Sequence, residues 1–228
     1  MTCGERRYTY MTATTEHATR PLTLTEVQGI LRPAVGTRYQ LLARLGTGSE
    51  WGAYVAVDTR LRRKVVVRVC TQDAGDTSDL HERVQRARHA AGLNAHLIAH
   101  IYDAVIDGDE TRLAPPTTTA VIVCEYFEGM TLREAIDRGE QVDARAIITA
   151  LTRRVLDAAD AGVSFGVLDP ANVVLTAAGP AIAKLPVGAL SDVGVTSLAA
   201  VASEVRTTRL TRALRKARSA SLRLAHAG

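Results

Sequence analysis

The stretch RYQLLARLGTGSEWGAYVAVDTRLRRKVVVRVC, residues 38–70, decides the fold of this chain. It contains three short apolar segments, at 39–45, 54–57 and 64–69. The third is a run of β-branched residues, which favours a pleated, half-buried surface. A glycine-rich turn at 46–48 follows the first segment, and an arginine-rich turn that opens at Asp58 follows the second. The stretch therefore predicts three consecutive strands with tight connections.

One cation, Arg68, stands near the end of the third predicted strand, with a valine on either side. A charge in such a strand is costly to bury unless another group accepts it. Glycines allow a backbone to approach a ligand closely. A glycine turn, a strand pair and an embedded cation together indicate a site that holds phosphates, or the descendant of such a site.

Length and composition suit a globular protein of one large domain or two small lobes. The chain has 228 residues, of which 46% are hydrophobic, 23% charged and only 4% aromatic, so aliphatic side chains must build the core. The cysteines, Cys3, Cys70 and Cys124, show no metal-ligand spacing, which favours a reducing compartment. No apolar run reaches the roughly 18 residues of a membrane span, and residues 1–20 contain no apolar signal core. These features predict a cytoplasmic protein.

The positive charge is concentrated near the C-terminus, where the tail carries seven basic residues and no acid between its first and last arginine. These residues are Arg206, Arg209, Arg212, Arg215, Lys216, Arg218 and Arg223. Without them the formal net charge would fall from +4 to −3. The tail is interpreted as a solvated or lobe-packed basic helix, an anionic-membrane anchor or a nucleic-acid contact.

The periodicity of the rest predicts four units: a disordered segment, a sheet-rich lobe, a mostly helical lobe and the basic tail. Their bounds are 1–25, 26–126, 127–205 and 206–228. Helices are predicted at 22–31, 80–93, 131–138, 143–161 and 197–205. Further strands are predicted at 97–105, 120–126, 173–175 and 181–185. Residues 71–78 are expected to form a polar loop, with Ser78 as the helix N-cap. The fold class predicted is α+β, with the two lobes joined near 124–128.

Six blocks of sequence occur in an order that is typical of one enzyme family. They are LGTGSEWGAYVAVD (45–58), VVVRVC (65–70), AAGLNAHLIAHIYD (90–103), VIVCEYFEGMTLREAI (121–136), DPANVVL (169–175) and SDVGVTSLAAVASEV (191–205). Together they resemble the eukaryotic-like Ser/Thr protein kinases of actinobacteria. The resemblance implies a protein-kinase-like two-lobe fold, with an antiparallel sheet and a helix in the N-terminal lobe and a mostly helical, truncated C-terminal lobe.

The resemblance also implies an ATP cleft with a magnesium ligand. Its nucleotide-binding positions would be Gly46, Gly48, Arg68, Glu125 and Phe127, and its metal ligand would be Asn172. Several of these positions are degenerate. Trp51 stands where the family has the third glycine of the loop, and Arg68 where it has the strand lysine. The glutamate that pairs with that lysine corresponds to Arg86, although Glu82 lies one helical turn earlier.

The catalytic loop departs furthest from the family. The aspartate that accepts the hydroxyl proton corresponds to Val167, and a valine accepts no proton. The lysine two residues further on corresponds to Asp169. The DFG triplet is absent from 183–192, so the principal magnesium ligand is missing, as is the activation segment.

Each candidate residue also has a structural interpretation. Arg68 is expected to pair with Glu82 or Asp79, or else to bind a phosphate. Asn172 is expected to bond its own turn, or else a metal. The glycines at 46 and 48 form a hairpin turn or contact a nucleotide, and Trp51 is a lid or a partner anchor. Cys124 is expected to be a small core residue.

Three functional hypotheses follow. The first is a pseudokinase that acts as a regulatory or protein-binding module and uses no cofactor; the resemblance implies another signalling protein as partner, such as an active kinase or a phosphothreonine-binding domain. The second is an atypical ATP- and magnesium-dependent protein kinase that uses Arg68, Asp169 and Asn172 in new roles. The third is a scaffold whose basic tail contacts membrane or nucleic acid.

Overall fold

Two antiparallel sheets and a small set of helices make up the described chain. The computed structural model describes residues 23–45, 52–73, 77–92, 96, 98–107, 117–162, 164–165, 168–185 and 202–203. The α-helices are α1 (Leu24–Val35), α2 (Ser78–Ala90), α3 (Leu132–Asp137) and α4 (Ala144–Asp160). The strands are β1 (Tyr39–Arg44), β2 (Gly52–Asp58), β3 (Arg63–Asp73), β4 (Ile101–Asp107), β5 (Thr117–Glu125), β6 (Met130–Thr131), β7 (Val173–Thr176) and β8 (Gly179–Ile182). The predicted α+β class is confirmed.

The first sheet has five strands in the order β1-β2-β3-β5-β4. The three strands predicted from the opening stretch are present, and each pairs antiparallel with the next. The prediction was wrong at 71–73, where β3 continues as far as Asp73 because its polar end pairs with the threonines that begin β5. The prediction also placed the start of β4 too early, since this strand begins at Ile101.

The two faces of β3 pack against different parts of the chain because successive side chains of a strand point to opposite sides. Val65 and Val67 are fully buried, in a cluster that includes Val27 and Leu31 of α1. Val66, one residue on, belongs to a second cluster that reaches into the helical part of the chain. Arg68 shares the face of Val66, so its side chain points away from α1 and toward the second cluster.

Helix α1 covers the open edge of β1. The side-chain amide of Gln28 donates to the carbonyl of Tyr39 at 2.9 Å and accepts from the backbone N–H of Leu41 at 3.0 Å. It thereby occupies two edge groups that a neighbouring strand would otherwise bond. The helix begins two residues later and ends four residues later than predicted. A capping box formed by Thr23 and Glu26 starts it, and it runs through Pro33 to Val35.

Helix α2 packs beside β4 and β5, with its apolar face of Leu80, Val84 and Ala87 buried as predicted. Its N-cap is Thr77, not Ser78, which is the first helical residue. Leu93, the last residue of the predicted helix, lies outside the described residues.

The second sheet has the order β6-β7-β8. Sequence analysis missed β6, which is only two residues long and pairs with β7. It placed β8 two residues too late, because Gly179 with a φ of 119° already opens the return strand opposite Thr176. Both predicted helices of this region are present, and each begins one residue later than predicted because the first predicted residue is its cap: Thr131 forms a capping box with Glu134, and Asp143 accepts from the first turn of α4.

The two sheets meet at the end of β8. Ile98 forms a parallel bridge with Ile182, and the N–H of Ala99 donates to the carbonyl of Ile182 at 3.0 Å. Buried side chains from both regions form one continuous cluster, in which Val66 and Cys124 join Leu151 and Phe165. The sheet and the helical region are therefore packed as one unit around 182–183.

No helix in the described part of the chain is both long and apolar enough to cross a membrane. The basic tail at 206–228 and most of the predicted helix at 197–205 lie outside the described residues, as do residues 1–22.

Candidate functional site

The candidate site lies between the two sheets, where β3, the end of β5 and the segment after β8 converge. Arg68 reaches across this space. Its guanidinium Nη2 donates to the backbone carbonyl of Ala183 at 3.1 Å, while its Nε is buried without a hydrogen-bond partner. The contact joins two residues that are 115 positions apart. The cation expected in the phosphate site therefore also ties the two regions together.

The predicted pairing of Arg68 with an acid of α2 was wrong. Asp79 forms an ion pair with Arg83 of the same helix at 2.9 Å, and Glu82 bonds Arg86 in the same way. Both pairs are separated by four residues, the spacing that brings side chains together on a helix surface. Arg86 stands where the family has a glutamate. It bonds Glu82, the acid one helical turn earlier, which is therefore not available to Arg68.

Cys124 packs directly against this cation. The cysteine is only 1% exposed, and burial raises the pKa of its thiol to about 11, although the charge and hydrogen bond of Arg68 act in the opposite direction. A thiol in this setting stays protonated near neutral pH and behaves as an apolar side chain. The prediction that Cys124 is a core residue is confirmed.

Asp169 sits at the start of a 3-10 turn, Pro170–Asn172. One of its carboxylate oxygens accepts from the backbone N–H of Ala171 at 2.7 Å, and the other lies 3.7 Å from the guanidinium of Arg133. Its side chain is 53% exposed. This carboxylate therefore caps a turn and neutralises an arginine, which are structural tasks.

The backbone of Asn172 joins that turn to the site. Its N–H donates to the carbonyl of Asp169, and its carbonyl accepts from the N–H of Ala183, each at 2.8 Å. Asn172 is therefore held in the turn by main-chain hydrogen bonds, and not by the predicted hydrogen bond of its side-chain amide. Whether Asn172 binds a metal stays a prediction. Within the described residues, no three acidic, histidine or cysteine side chains form a metal-binding group.

Glu125 and Phe127 lie at the end of β5, where the chain leaves the first sheet. Glu125 is held by His100: its N–H donates to the His100 carbonyl at 2.8 Å, and its carboxylate accepts from the His100 N–H at 3.4 Å. Phe127 is half-buried. Both residues lie at the same junction, and their role in binding a nucleotide stays a prediction. Gly46, Gly48, Trp51 and Val167 lie outside the described residues.

Sequence analysis gave no role to Lys184, a cation in the segment after β8. It follows Ala183 directly, and burial lowers its pKa, as does the positive charge of Arg68, while Asp169 acts in the opposite direction. The sequence signal for this cation was the triplet Ala183-Lys184-Leu185, which lies in the region where the family has an acid.

Comparison with known proteins defines the class. The chain is 34% identical over 147 residues to a probable serine/threonine-protein kinase of Streptomyces coelicolor, which covers 62% of the chain and 21% of that protein. It is 33% identical over 149 residues to the serine/threonine-protein kinase PknB of Mycobacterium tuberculosis, covering 61% and 22%. It is 30% identical over 149 residues to a probable PknB of Bifidobacterium longum, covering 63% and 21%. No protein-family model matches the chain.

These similarities and the five-stranded sheet with its helix define a kinase-like domain. Over about 62% of its length the chain is similar to bacterial serine/threonine-protein kinases. It spans about a fifth of the length of the curated relatives it matches.

Proposed function

We propose that this chain is a kinase-like module that does not transfer phosphoryl groups and that acts by binding another protein. The observation that carries the proposal is the use made of Arg68. In the family this position holds a lysine that pairs the nucleotide phosphates with a helix glutamate. Here the cation donates to the carbonyl of Ala183, and the acids of α2 are bonded to arginines of their own helix.

The charges available to the reaction support the same conclusion. Phosphoryl transfer depends on acidic side chains that hold magnesium and orient the attacking hydroxyl. The segment that follows β8 is Ala183-Lys184-Leu185, which supplies a cation, and the sequence has Val167 at the position of the catalytic aspartate. Asp169, two residues after Val167 in the sequence, is engaged by a backbone N–H and by Arg133. Removing either kind of acid costs an enzyme several orders of magnitude in rate.

The regulatory part of the proposal concerns the partner. A kinase-like fold without its catalytic charges keeps a large structured surface, and the family resemblance suggests a signalling protein, either an active kinase or a phosphothreonine-binding domain. A contact of the basic tail with an anionic membrane or nucleic acid would add to such binding without replacing it.

A phosphotransfer assay tests the catalytic part. The purified chain is incubated with γ-labelled ATP and a threonine-containing acceptor protein, with magnesium or manganese. We expect incorporation no greater than that of heat-denatured chain. Metal-dependent incorporation that is lost in both Asp169→Asn and Asn172→Ala, but kept in the exposed-site control Asp160→Asn, would overturn the proposal in favour of an atypical kinase.

A further inference from the structure

The turn between β2 and β3 has a fixed main chain. The two strands pair as far as Asp58 and Arg63, which leaves residues 59–62 as the connection. All four N–H groups of this connection donate to the folded chain, at distances between 2.7 and 3.2 Å. Two reach the buried carboxylate of Asp58, one its main-chain carbonyl and one the carbonyl of Arg38; the donors, in that order, are Arg60, Leu61, Arg62 and Thr59. The turn is therefore a rigid support for its side chains.

The side chains of this turn are directed to solvent. Leu61 is 58% exposed, more than any other large apolar side chain in the described part of the chain. Arg60 and Arg62, on either side of it, are also exposed, and their guanidinium groups form no ion pair with another described residue. Asp58 does not neutralise them, because its oxygens accept from Arg38 and from the main chain. One apolar side chain thus lies between two uncompensated cations.

The backbone at Arg62 does not explain why an arginine stands there. Its φ is 52°, and among the described residues it is the one non-glycine residue with a positive φ. This left-handed region favours glycine, asparagine and aspartate, whose side chains cost little there. The position nevertheless carries a long cationic side chain with no ion pair inside the fold. The role of that side chain is therefore expected to lie outside the fold.

A third cation comes from the end of α1. Arg32 is exposed in the last turn of this helix, and it lines the same groove as Thr59, the first residue of the turn. On the other side Lys64 does not contribute, because its ammonium bonds Glu128 at 3.0 Å. Residues 59–62 and Arg32 together form what is called the basic tip here, at one end of the first sheet.

We propose that the basic tip binds an anionic lipid surface and that Leu61 enters its headgroup region. Arginines gain from contact with anionic headgroups, and an apolar side chain between them gains by leaving water. A protruding turn fits a lipid surface, which needs no matching cleft. A nucleic acid would engage the arginines through its phosphates but would leave Leu61 in water, so the combination of side chains favours lipid. This inference goes beyond the proposed function and does not depend on it.

Fluorescence from residue 61 in the full chain tests the proposal. The chain has a single tryptophan, so Trp51→Phe combined with Leu61→Trp moves this reporter to the tip. The probes are vesicles of phosphatidylcholine alone or with about 30% phosphatidylglycerol, at low salt. With the anionic vesicles only, we expect emission to shift to shorter wavelength and brominated lipid to quench it. Absence of binding overturns the proposal, and so does co-sedimentation with anionic vesicles that leaves the emission unchanged, since contact would then lie elsewhere, as in the basic tail.

Matched variants test the two kinds of side chain separately. Arg60→Ser with Arg62→Ser should weaken binding to the anionic vesicles by about thirtyfold, because each cation near such a surface contributes a factor of about five. Arg145→Ser with Arg153→Ser is the control, since it removes the same charge from exposed positions of α4. Equal losses in the two double variants would show that only net charge matters and would overturn the proposal.

Leu61→Ser tests the apolar contact without a change of charge. It should weaken vesicle binding by at least about fivefold, and unchanged affinity would overturn the insertion of Leu61. Two other occupants of the tip give different results. A dimer in gel filtration that dissociates in Leu61→Ser would assign the tip to a second copy of the chain. DNA binding that depends on the two arginines but not on Leu61 would assign it to nucleic acid. Either result, without quenching at residue 61, overturns the proposal.

Discussion

Asp58 is the one carboxylate that is completely buried among the described residues, and every group it contacts is a hydrogen-bond donor. One oxygen accepts from Arg38 Nε at 3.1 Å, from the N–H of Arg60 at 3.1 Å and from the N–H of Leu61 at 3.2 Å. The other accepts from Arg38 Nη2 at 2.7 Å. In Asp58→Asn, an amide NH₂ must replace one of these oxygens and will then face a donor in either orientation.

The cost of this substitution follows from that geometry. A hydrogen bond to a charged group contributes about 1.5–3 kcal/mol, and an opposed buried donor costs about as much again when it is left unpaired. Because Arg38 is 30% exposed and water can reach part of its guanidinium, we expect a total loss of about 2–4 kcal/mol in the free energy of unfolding. For a domain of 150–250 residues this corresponds to a fall in Tm of roughly 5–15 °C.

The pH dependence of the free energy of unfolding provides a second, independent test of the Arg38–Asp58 pair. The hydrogen bond from Arg38 holds the pKa of Asp58 below its ordinary value, and the backbone N–H groups of Arg60 and Leu61 add to the effect against the cost of burial. The folded state therefore binds this proton less readily than the unfolded state does. The stabilisation is complete above the unfolded pKa, about 3.9, and is lost as the pH falls through the lower folded pKa.

Urea unfolding at pH 7 and at pH 3 measures both effects. At pH 7 the variant should unfold at a lower urea concentration by the amount given above, and the difference from wild type should shrink at pH 3. Asp137→Asn serves as the control, because Asp137 is exposed at the end of α3. If Asp58→Asn changed the free energy of unfolding by less than about 0.5 kcal/mol, the range of ordinary surface substitutions, the argument from donor geometry would be refuted.

Three further predictions concern other contacts. Gln28→Ala should lower the free energy of unfolding by about 1–2 kcal/mol in urea titrations, because two edge groups of β1 lose their partner, whereas Ala at the exposed Gln40 should have no such effect. Thr131→Ala should cost about 1 kcal/mol in the same assay, because α3 loses its capping box, and an unchanged midpoint would contradict this role. Cys124 should react with iodoacetamide at pH 8 at least about a hundredfold more slowly in the native chain than in urea, as followed by peptide mass spectrometry; equal rates would show that the thiol is accessible.

The parts of the fold that local physics determines were predictable from sequence. The valine run of β3 and the helices α3 and α4 each depend on residues within a few positions, and the two helices were predicted to within one residue at each end. Errors appeared where a local choice had two acceptable answers. Thr77 and Ser78 are both suitable caps for α2, and backbone position alone selects the first.

The sequence predicted that Arg68 belongs to the candidate site but did not predict its hydrogen bond. The resemblance selected Arg68, and charge arguments then assigned it an acidic partner. The acceptor is instead the main-chain carbonyl of Ala183, and because every residue has such a carbonyl, no side-chain pattern could have named it.

Contacts from distant parts of the chain converge at 182–183. The carbonyl of Ile182 accepts from the N–H of Ala99, the N–H of Ala183 donates to the carbonyl of Asn172, and the carbonyl of Ala183 accepts from Arg68. Two consecutive residues therefore join the first sheet to the 3-10 turn, and two of these three bonds are made by main-chain groups on both sides. Because a backbone N–H or carbonyl is present whatever the side chain, substitutions at 182–183 can leave this junction in place.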